Sequence, residues 1–246
     1  MSRTVVNVVA SIALMAGTAI ALPKQTTPPV KKPTPSVNKE TSTGTPTKRW
    51  LVGQAQLGYY GGVGFHGSLT AQNFAEGFPF SARLGLGYSK VNSGDEWAAR
   101  RIFIDNNQNG DARSDARVWD LRLDVLYPVK VMELRRTNVY GGIRRTDFEA
   151  FFEYIGGAET FSVRSHQWGL GGGIETAFAI NPRLDLIFSV GADYYFKGTL
   201  DGHDTYYRPD NDNTNPIAAY TYADADKAIN QPDVMTRLML GWAYHF

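Results

Sequence analysis

A short polar stretch of the chain has oxygen-bearing side chains at alternate positions and a glycine, Gly110, at its sixth position. This spacing matches the first half of an EF-hand-type calcium loop, in which alternating oxygens surround a hard cation and glycine allows the sharp turn. The twelfth position is Ala116, where such loops place a bidentate carboxylate. The candidate calcium ligands are Asp105, Asn107, Asn109, Asp111 and Asp115. A solvated turn rich in Asn and Asp is the alternative interpretation.

A histidine and a serine, His66 and Ser68, stand two residues apart, so on a strand they would share one face. A serine hydroxyl beside an imidazole base is a pairing used in nucleophilic catalysis, usually with a third group that orients the base. No acidic partner for His66 is evident in the sequence. We therefore interpret both residues as polar lining and predict no catalytic residues.

The segment from Ala116 to Lys130 has one apolar face and one charged face, because large apolar residues alternate with Asp120, Arg122 and Asp124. Charges that face a dry core need partners, and large apolar groups that face water are costly. A strand in the wall of a membrane barrel satisfies both faces, since lipid lies outside and the interior is polar.

The same alternation with period two recurs from residue 50 to the last residue, with no convincing amphipathic helix of useful length, and it predicts an all-β fold. The predicted strands are Trp50 to Tyr60, Val63 to Asn73, Phe80 to Lys90, Ala116 to Lys130, Asn138 to Tyr154, Arg164 to Ile180, Arg183 to Gly198 and Thr236 to Phe246. Eight such strands predict an antiparallel up-and-down transmembrane β-barrel.

The fifth strand is the least regular of the eight. Its apolar residues fall into two sets of opposite parity, namely Val139, Gly141 and Ile143, and then Phe148, Ala150 and Phe152. A β-bulge near Arg144 and Arg145 would bring both sets onto one face, because a bulge inserts one extra residue into a strand.

The connections between strands are short at one end of the barrel, and three of the four connections at the other end are longer. At the end that holds Phe246 they are 74–79, 131–137 and 181–182, and at the other end they are 61–62, 91–115, 155–163 and 199–234. Outer-membrane barrels have short periplasmic turns and longer extracellular loops. We therefore expect Phe246 to lie at the periplasmic end.

The amino-acid composition limits the classes of function that the chain can have. The chain has 246 residues, a formal net charge of +1 and no cysteine. A nucleic-acid binder is normally strongly basic, so we expect no nucleic-acid partner. Without cysteine there are no disulfides, thiol nucleophiles or thiolate metal sites.

The first 49 residues differ in character from the rest. Residues 1–21 have a basic start, an apolar run and the small-residue pattern Ala19-Ile20-Ala21, which predicts a signal peptide; a retained membrane anchor is the alternative. Residues 22–49 are rich in Pro, Thr and Lys and predict a disordered periplasmic linker, which leaves 50–246 as the barrel. The excess of Lys in this linker makes acidic cell-wall polymer a candidate partner.

The last strand ends on alternating aromatic residues, Trp242, Tyr244 and Phe246. This ending resembles the C-terminal assembly signal of bacterial outer-membrane barrels, and the whole of 50–246 resembles the small eight-stranded barrels of the OmpA-like, OmpX-like and opacity-type proteins. The resemblance implies a location in the bacterial outer membrane, with outer-membrane lipid and the barrel-assembly machinery as partners. Beyond the ending and the alternation it is a likeness of architecture.

Seven charged residues face the interior in this register. They are Arg83, Asp120, Arg122, Asp124, Glu175, Asp193 and Arg237. They could form an ion-selective pathway or a paired network that fills the lumen. An eight-stranded barrel has an interior just wide enough for side chains to fill, which favours the filled lumen and predicts salt bridges across it.

The expected function is that of a non-enzymatic, integral outer-membrane barrel. Its long loops would serve envelope structure, adhesion or the binding of a surface partner, and the extracellular partner is unknown. A narrow channel for small or hydrophobic solutes is the alternative, and a lipid-modifying enzyme is a third. No cofactor is expected, apart from the candidate calcium in 105–115.

Overall fold

The computed structural model describes residues 51–72, 78–131, 134–156 and 159–246. The predicted signal peptide, 1–21, and the predicted linker, 22–49, lie outside the described residues. No helix in the described ranges is both long enough and apolar enough to cross a membrane.

The described residues form ten strands and two short helices. The strands are β1 (Leu51–Tyr60), β2 (Val63–Ala71), β3 (Ser81–Val91), β4 (Asp111–Val131), β5 (Leu134–Ile155), β6 (Glu159–Asn181), β7 (Leu184–Tyr195), β8 (Leu200–Gly202), β9 (Thr205–Tyr207) and β10 (Val234–His245). The helices are α1 (Glu96–Phe103) and α2 (Tyr222–Ile229).

Strands β1 to β7 and β10 close into one antiparallel barrel. Each strand pairs with its neighbour in the chain, β7 pairs with β10, and β10 returns to β1. The closing register places Leu57 opposite Leu240 and Tyr60 opposite Arg237. The predicted eight-stranded up-and-down barrel is confirmed, and closure leaves none of these eight strands as a free edge.

The two faces of the wall alternate as predicted. Outward-facing apolar side chains are exposed on every barrel strand, for example Leu57, Leu84, Leu123, Leu170 and Leu240 at 50–63%. In a soluble protein such a continuous apolar surface would be costly, whereas lipid accommodates it. We call this exposed apolar surface the apolar band. At the same level, the inward-facing side chains are buried and mostly polar.

The barrel wall is much taller on one side. Strands β4, β5 and β6 have 21, 22 and 23 residues, against 10 for β1 and 9 for β2. A tilted crossing needs about 9–11 residues, so these three strands extend well beyond the apolar band. The prediction of a long loop over 155–163 was wrong. Strand β5 continues to Ile155 and β6 begins at Glu159, so the connection between them is short.

The predicted bulge in β5 was also wrong. The register of β5 with β4 is continuous from Ile155 to Thr137, so both neighbouring arginines stay in the ladder, with Arg144 inside and Arg145 outside. Phe148 and Phe152 face inward together with Arg144. Within the membrane the apolar residues of β5 face outward to lipid, and beyond the membrane they face inward. The change occurs because the interior of the barrel is charged within the membrane and apolar beyond it.

Two helices form where only loops were expected. Helix α1 begins after Asp95, whose carboxylate accepts a hydrogen bond of 2.8 Å from the Ala98 N–H and so caps the first turn. Helix α2 begins after Thr221, whose backbone N–H and hydroxyl both donate to the Asp224 carboxylate, at 2.9 and 2.7 Å. Each helix has eight residues, too few for its periodicity to stand out in the sequence.

We call the end of the barrel that holds α1 and α2 the loop end, and the end that holds Phe246 the turn end. At the turn end, β6 and β7 are joined through Pro182 and Arg183, and the Asn181 side chain accepts hydrogen bonds from the N–H groups of Arg183 and Leu184. At the loop end, the connection 196–233 contains the small β8–β9 hairpin, and β8 pairs with the extended part of β6.

Candidate functional site

The interior of the barrel is crossed by ion pairs between side chains from different strands. Arg83 on β3 contacts Glu175 on β6 across the lumen, with 2.7 Å between Nη2 and Oε1. Gln54 and Gln56 on β1 donate to the same carboxylate, at 3.1 and 3.4 Å. All seven predicted interior charges are buried, each at most 5% exposed, so the structure places this set inside the barrel.

A second cluster of charges lies nearer the loop end. Arg122 binds Asp120 on the same strand and reaches Asp193 on β7, at 3.4 Å. Arg144, on β5, bridges two carboxylates, with 2.7 Å to Asp124 and 2.8 Å to Asp193. Arg144 is absent from the predicted set because the presumed bulge left its orientation undefined. The strict alternation of β5 would have revealed it.

Tyrosine hydroxyls extend this cluster across the lumen. The hydroxyls of Tyr60 and Tyr195 lie 2.5 Å apart, and Tyr195 also donates to Asp120 at 3.2 Å. The guanidinium of Arg122 lies over the Tyr60 ring, 5.1 Å from its centroid. Aromatic faces attract cations most strongly where water is excluded, so these rings help to hold the buried arginines.

Arg237 differs from the other interior arginines because it makes no ion pair among the described residues. Its guanidinium donates to the Tyr140 hydroxyl at 2.6 Å and lies over the Tyr140 ring, 5.0 Å from the centroid. Tyr140 fits there because Gly173 and Gly191 have no side chain; a Cβ at either would lie 2.2–2.4 Å from its hydroxyl. These two glycines therefore serve the packing of the lumen.

The turn end of the lumen is closed differently. Val52, Ile187 and Ala243 form a small buried apolar cluster. Beside it Asp185 accepts from Arg136 at 2.7 Å and lies 2.8 Å from the His245 ring. The lumen is thus filled by apolar contacts at the turn end and by ion pairs above them.

His66 and Ser68 both face the lumen, as predicted, but they are not a catalytic pair in this geometry. The Ser68 hydroxyl donates to Gln54 at 3.0 Å. Neither ring nitrogen of His66 has a hydrogen-bond partner among the described residues, and the ring lies against Gly85, where a Cβ would be 2.4 Å from Nε2. No group orients the imidazole toward the serine, as a nucleophile and base require.

Comparisons with known proteins support the architecture. No protein-family profile matches the chain, and no curated protein matches it. The chain is similar to the crystal structure of a major outer membrane protein from Thermus thermophilus, with 26% identity and a TM-score of 0.64, over 80% of this chain and 98% of that one. The protein is a bacterial outer-membrane β-barrel.

Two further solved structures match more loosely. Acinetobacter baumannii CarO has 16% identity over 80% of this chain and 98% of that one, with a TM-score of 0.41. Neisserial surface protein A has 14% identity over 80% and 94%, with a TM-score of 0.36.

The loop end of this outer-membrane barrel is the extracellular end, since such barrels have long loops outside and short turns in the periplasm. There the two helices and the β8–β9 hairpin lie over the extended strands and share one apolar core with them. We call this folded part the extracellular cap. Its core includes Phe103 of α1, Ile229 of α2, Phe152, Phe161 and Leu200, each at most 6% exposed.

A buried cation joins α1 to the strands of the cap. Arg100 is 1% exposed, and its guanidinium contacts Asp105 at 2.9 Å and Glu159 of β6 at 3.0 Å. It also lies 4.7 Å from the centroid of the Tyr154 ring. The hydrogen bond from Arg100 holds the pKa of Asp105 below its usual value. Arg100 thus links α1, the loop after it and β6.

The two helices meet at Gly94. The Asp95 N–H donates to the Ala228 carbonyl at 2.8 Å, and a Cβ on Gly94 would lie 1.9 Å from that same oxygen. Gly94 has a φ of 103°, a conformation that side chains with a Cβ rarely adopt. Glycine is therefore required here both for the backbone conformation and for the close approach.

The predicted calcium ligands are not brought together around one point. Asp105 and Asn107 lie in the loop after α1, where Asp105 accepts from Arg100 and from the Asn107 N–H. Asp111 and Asp115 lie on β4, four residues or about 13 Å apart along the strand. Asn109 lies between the two groups, and its N–H donates to Asn107 at 2.9 Å. Calcium binding by this set of five residues stays a prediction.

The predicted assembly residues lie on the outer wall at the turn end. Trp242, Tyr244 and Phe246 are 57%, 41% and 64% exposed, and the rings of Tyr244 and Phe246 meet edge to face at 5.1 Å. The Phe246 ring lies over Gly53 on β1, where a Cβ would be 3.2 Å from it. The last strand therefore ends in an aromatic band at the periplasmic interface.

Proposed function

We propose that the protein is a non-conducting, non-enzymatic outer-membrane barrel that anchors a rigid platform at the cell surface. The platform is the extracellular cap, and its role is adhesion, the binding of a surface partner, or contact with other envelope layers. The observation that supports this most strongly is that the lumen is filled by paired side chains and then covered by the apolar core of the cap.

The filled lumen argues against the channel alternative. A conducting path needs a continuous column of water, whereas Arg122, Arg144 and Asp193 are each at most 1% exposed and contact one another across the lumen. Opening a path would separate buried ion pairs, which is costly because the charges left behind have no partner.

The form of the cap supports a platform role. Extension of three strands and burial of two helices order this region well beyond what the barrel needs to cross the membrane. Ordering a chain costs about 1–2 kcal/mol per residue in backbone entropy. We therefore expect a loop that has no function outside the membrane to stay unfolded. A preordered surface loses less entropy when it binds a partner.

The test compares the full protein with a trimmed barrel that lacks residues 92–114, 152–161 and 197–232 and has short turns in their place. Both are expressed in cells from which the gene has been deleted, at matched levels in the outer membrane. We expect the trimmed barrel to insert and show heat-dependent gel mobility, yet to fail to restore surface attachment. Full restoration of attachment by the trimmed barrel would contradict the proposal.

A further inference from the structure

The outer wall of β4, β5 and β6 carries charges where the other strands carry apolar residues. The strand pairing aligns side chains in rows across the wall, each row about 7 Å from the next. Three successive rows toward the membrane matter here. The first contains Arg117, Glu149 and Arg164, the next contains Trp119, Asp147 and His166, and the third contains Leu121, Arg145 and Trp168. Below them the wall is apolar, beginning with Leu123, Ile143 and Leu170.

Arg145 is the unusual member of this region. It is exposed on the lipid-facing wall, one row below Trp119, between Leu121 and Trp168. Its guanidinium lies 5.4 Å from the centroid of the Trp168 ring, and it makes no ion pair among the described residues. A cation on the lipid face is costly unless it lies near the interface and finds an anion.

The rows above Arg145 contain further cations, and these have carboxylate partners. Arg117 and Arg164 approach the one carboxylate of Glu149 from opposite sides, each with 2.9 Å from its Nε. His166 lies 2.5 Å from Asp147. Asp201 of β8 lies beside Arg164 in the strand pairing, so Arg145 is the arginine of this cluster that has no ion pair among the described residues. A cleft of about 320 Å³ lies in the two rows above Arg145 and is lined by Arg117, Trp119, Asp147, Glu149, Arg164 and His166.

We propose that this cluster binds the phosphate-bearing headgroup of an outer-leaflet lipid, with Arg145 as its main anion contact. A guanidinium binds phosphate with two parallel hydrogen bonds, and Arg145 has no carboxylate that would compete for them. Trp119 and Trp168 lie at the level where tryptophan marks the membrane interface. The acyl chains of the lipid would lie along Leu123 and Ile143.

The position of Arg145 selects a lipid over a dissolved anion. It faces the bilayer, so a bound anion must stand at the membrane edge and bring apolar chains with it. A phosphate-free glycolipid would contact the same apolar wall without neutralising Arg145. The proposal therefore predicts a preference for headgroup phosphate.

The experiment uses the full protein refolded in maltoside micelles, which contain no phosphate. Tryptophan fluorescence is quenched with phosphatidylglycerol whose acyl chains carry bromine, or with an equally brominated, phosphate-free diacyl glycolipid. The variants are Arg145→Gln, the conservative Arg145→Lys, and the matched control Arg113→Gln. Arg113 is also exposed on the outer face of β4, four residues farther from the membrane than Arg117.

We expect phosphatidylglycerol to quench the wild type and Arg113→Gln at a concentration on the order of tenfold below that of the glycolipid. Arg145→Gln should lose this preference, and Arg145→Lys should keep part of it. An unchanged preference in Arg145→Gln, or none in the wild type, would overturn the proposal. Displacement of the lipid by millimolar inorganic phosphate would also overturn it, since the site would then serve a free anion. If Arg145→Gln does not fold, the wild-type preference and Arg145→Lys decide.

Discussion

Two adjacent arginines on β5 have different environments and different roles because one faces the lumen and the other faces outward. Arg144 is buried and bridges Asp124 and Asp193 inside the lumen, while Arg145 is exposed on the outer wall beside Trp168. They have the same side chain and neighbouring positions, and they differ only in the direction that the strand gives them. Their substitution therefore separates the contribution of the lumen network from that of surface charge.

Arg144→Met should lower the free energy of unfolding by about 3–5 kcal/mol, because it leaves Asp124 and Asp193 buried without this partner. Arg145→Met should change it by less than about 1 kcal/mol in phosphate-free micelles. Urea unfolding followed by tryptophan fluorescence measures both values. Equal effects of the two substitutions would show that the lumen network does not stabilise the barrel.

Acid should weaken α2 through its first turn. The backbone N–H and the hydroxyl of Thr221 donate to the carboxylate of Asp224 and lower its pKa. Because the pKa is lower in the folded state, this stabilisation is present above the unfolded value of about 3.9 and is lost as pH falls through the folded value.

Amide exchange of residues 222–229, corrected for the intrinsic rate, should accelerate as the pH falls below about 4 in the wild type. Asp224→Asn has no carboxylate to protonate, so its exchange should change much less over that range. A wild type and variant with the same pH dependence would show that Asp224 does not control this helix.

At the scale of elements, the extracellular cap depends on one close contact between its helices. Gly94→Ala should destabilise the cap by about 2 kcal/mol or more, because it strains the backbone at positive φ and forces a methyl group against the Ala228 carbonyl. Limited proteolysis from outside the cell should then cleave within 92–110 or 196–233 faster than in the wild type.

Gly67→Ala is the matched control for this substitution. A Cβ at Gly67 would point outward and meet only the Gln54 carbonyl oxygen, 3.9 Å away. Its cleavage pattern should equal that of the wild type. If Gly94→Ala is cleaved no faster than this control, the helix contact is not what holds the cap together.

The alternation of polar and apolar residues in the sequence could predict the parts of the strands that contact lipid. All eight barrel strands were predicted, because lipid on one face and a polar lumen on the other impose a period of two on the sequence. The extended parts of β4, β5 and β6 were underestimated or misread. There Phe148 and Phe152 face an apolar interior while Glu149 and Glu153 face outward, so the pattern that marks the membrane is inverted.

The interior site was predictable residue by residue wherever the strand register was known. The seven predicted charges all lie inside, and Arg144 was missed only because its strand was assigned a bulge. The partners could not be derived from the sequence, since Arg83 meets Glu175 across the lumen, 92 positions along the chain. The cap could not be derived either, because its helices are short and its core is assembled from distant segments.

At the scale of the whole molecule, the barrel formed by the described residues has two unlike halves. The half within the membrane is filled by polar and charged side chains above a small apolar cluster at the turn end, whereas the extracellular half encloses an apolar core beneath α1 and α2. Among the described strands, only β4, β5 and β6 connect the two at full height, so the cap stands on one side of the barrel. This arrangement supports the proposed surface role and the proposed closed lumen.

Single-channel recording tests this account most directly. The refolded protein is inserted into a planar lipid bilayer at high salt, with insertion verified by protease protection and with a porin as the positive control. A lumen filled by ion pairs and covered by the cap predicts no unitary current steps above background. Reproducible steps of uniform size from the wild type would contradict the closed lumen and favour the channel alternative.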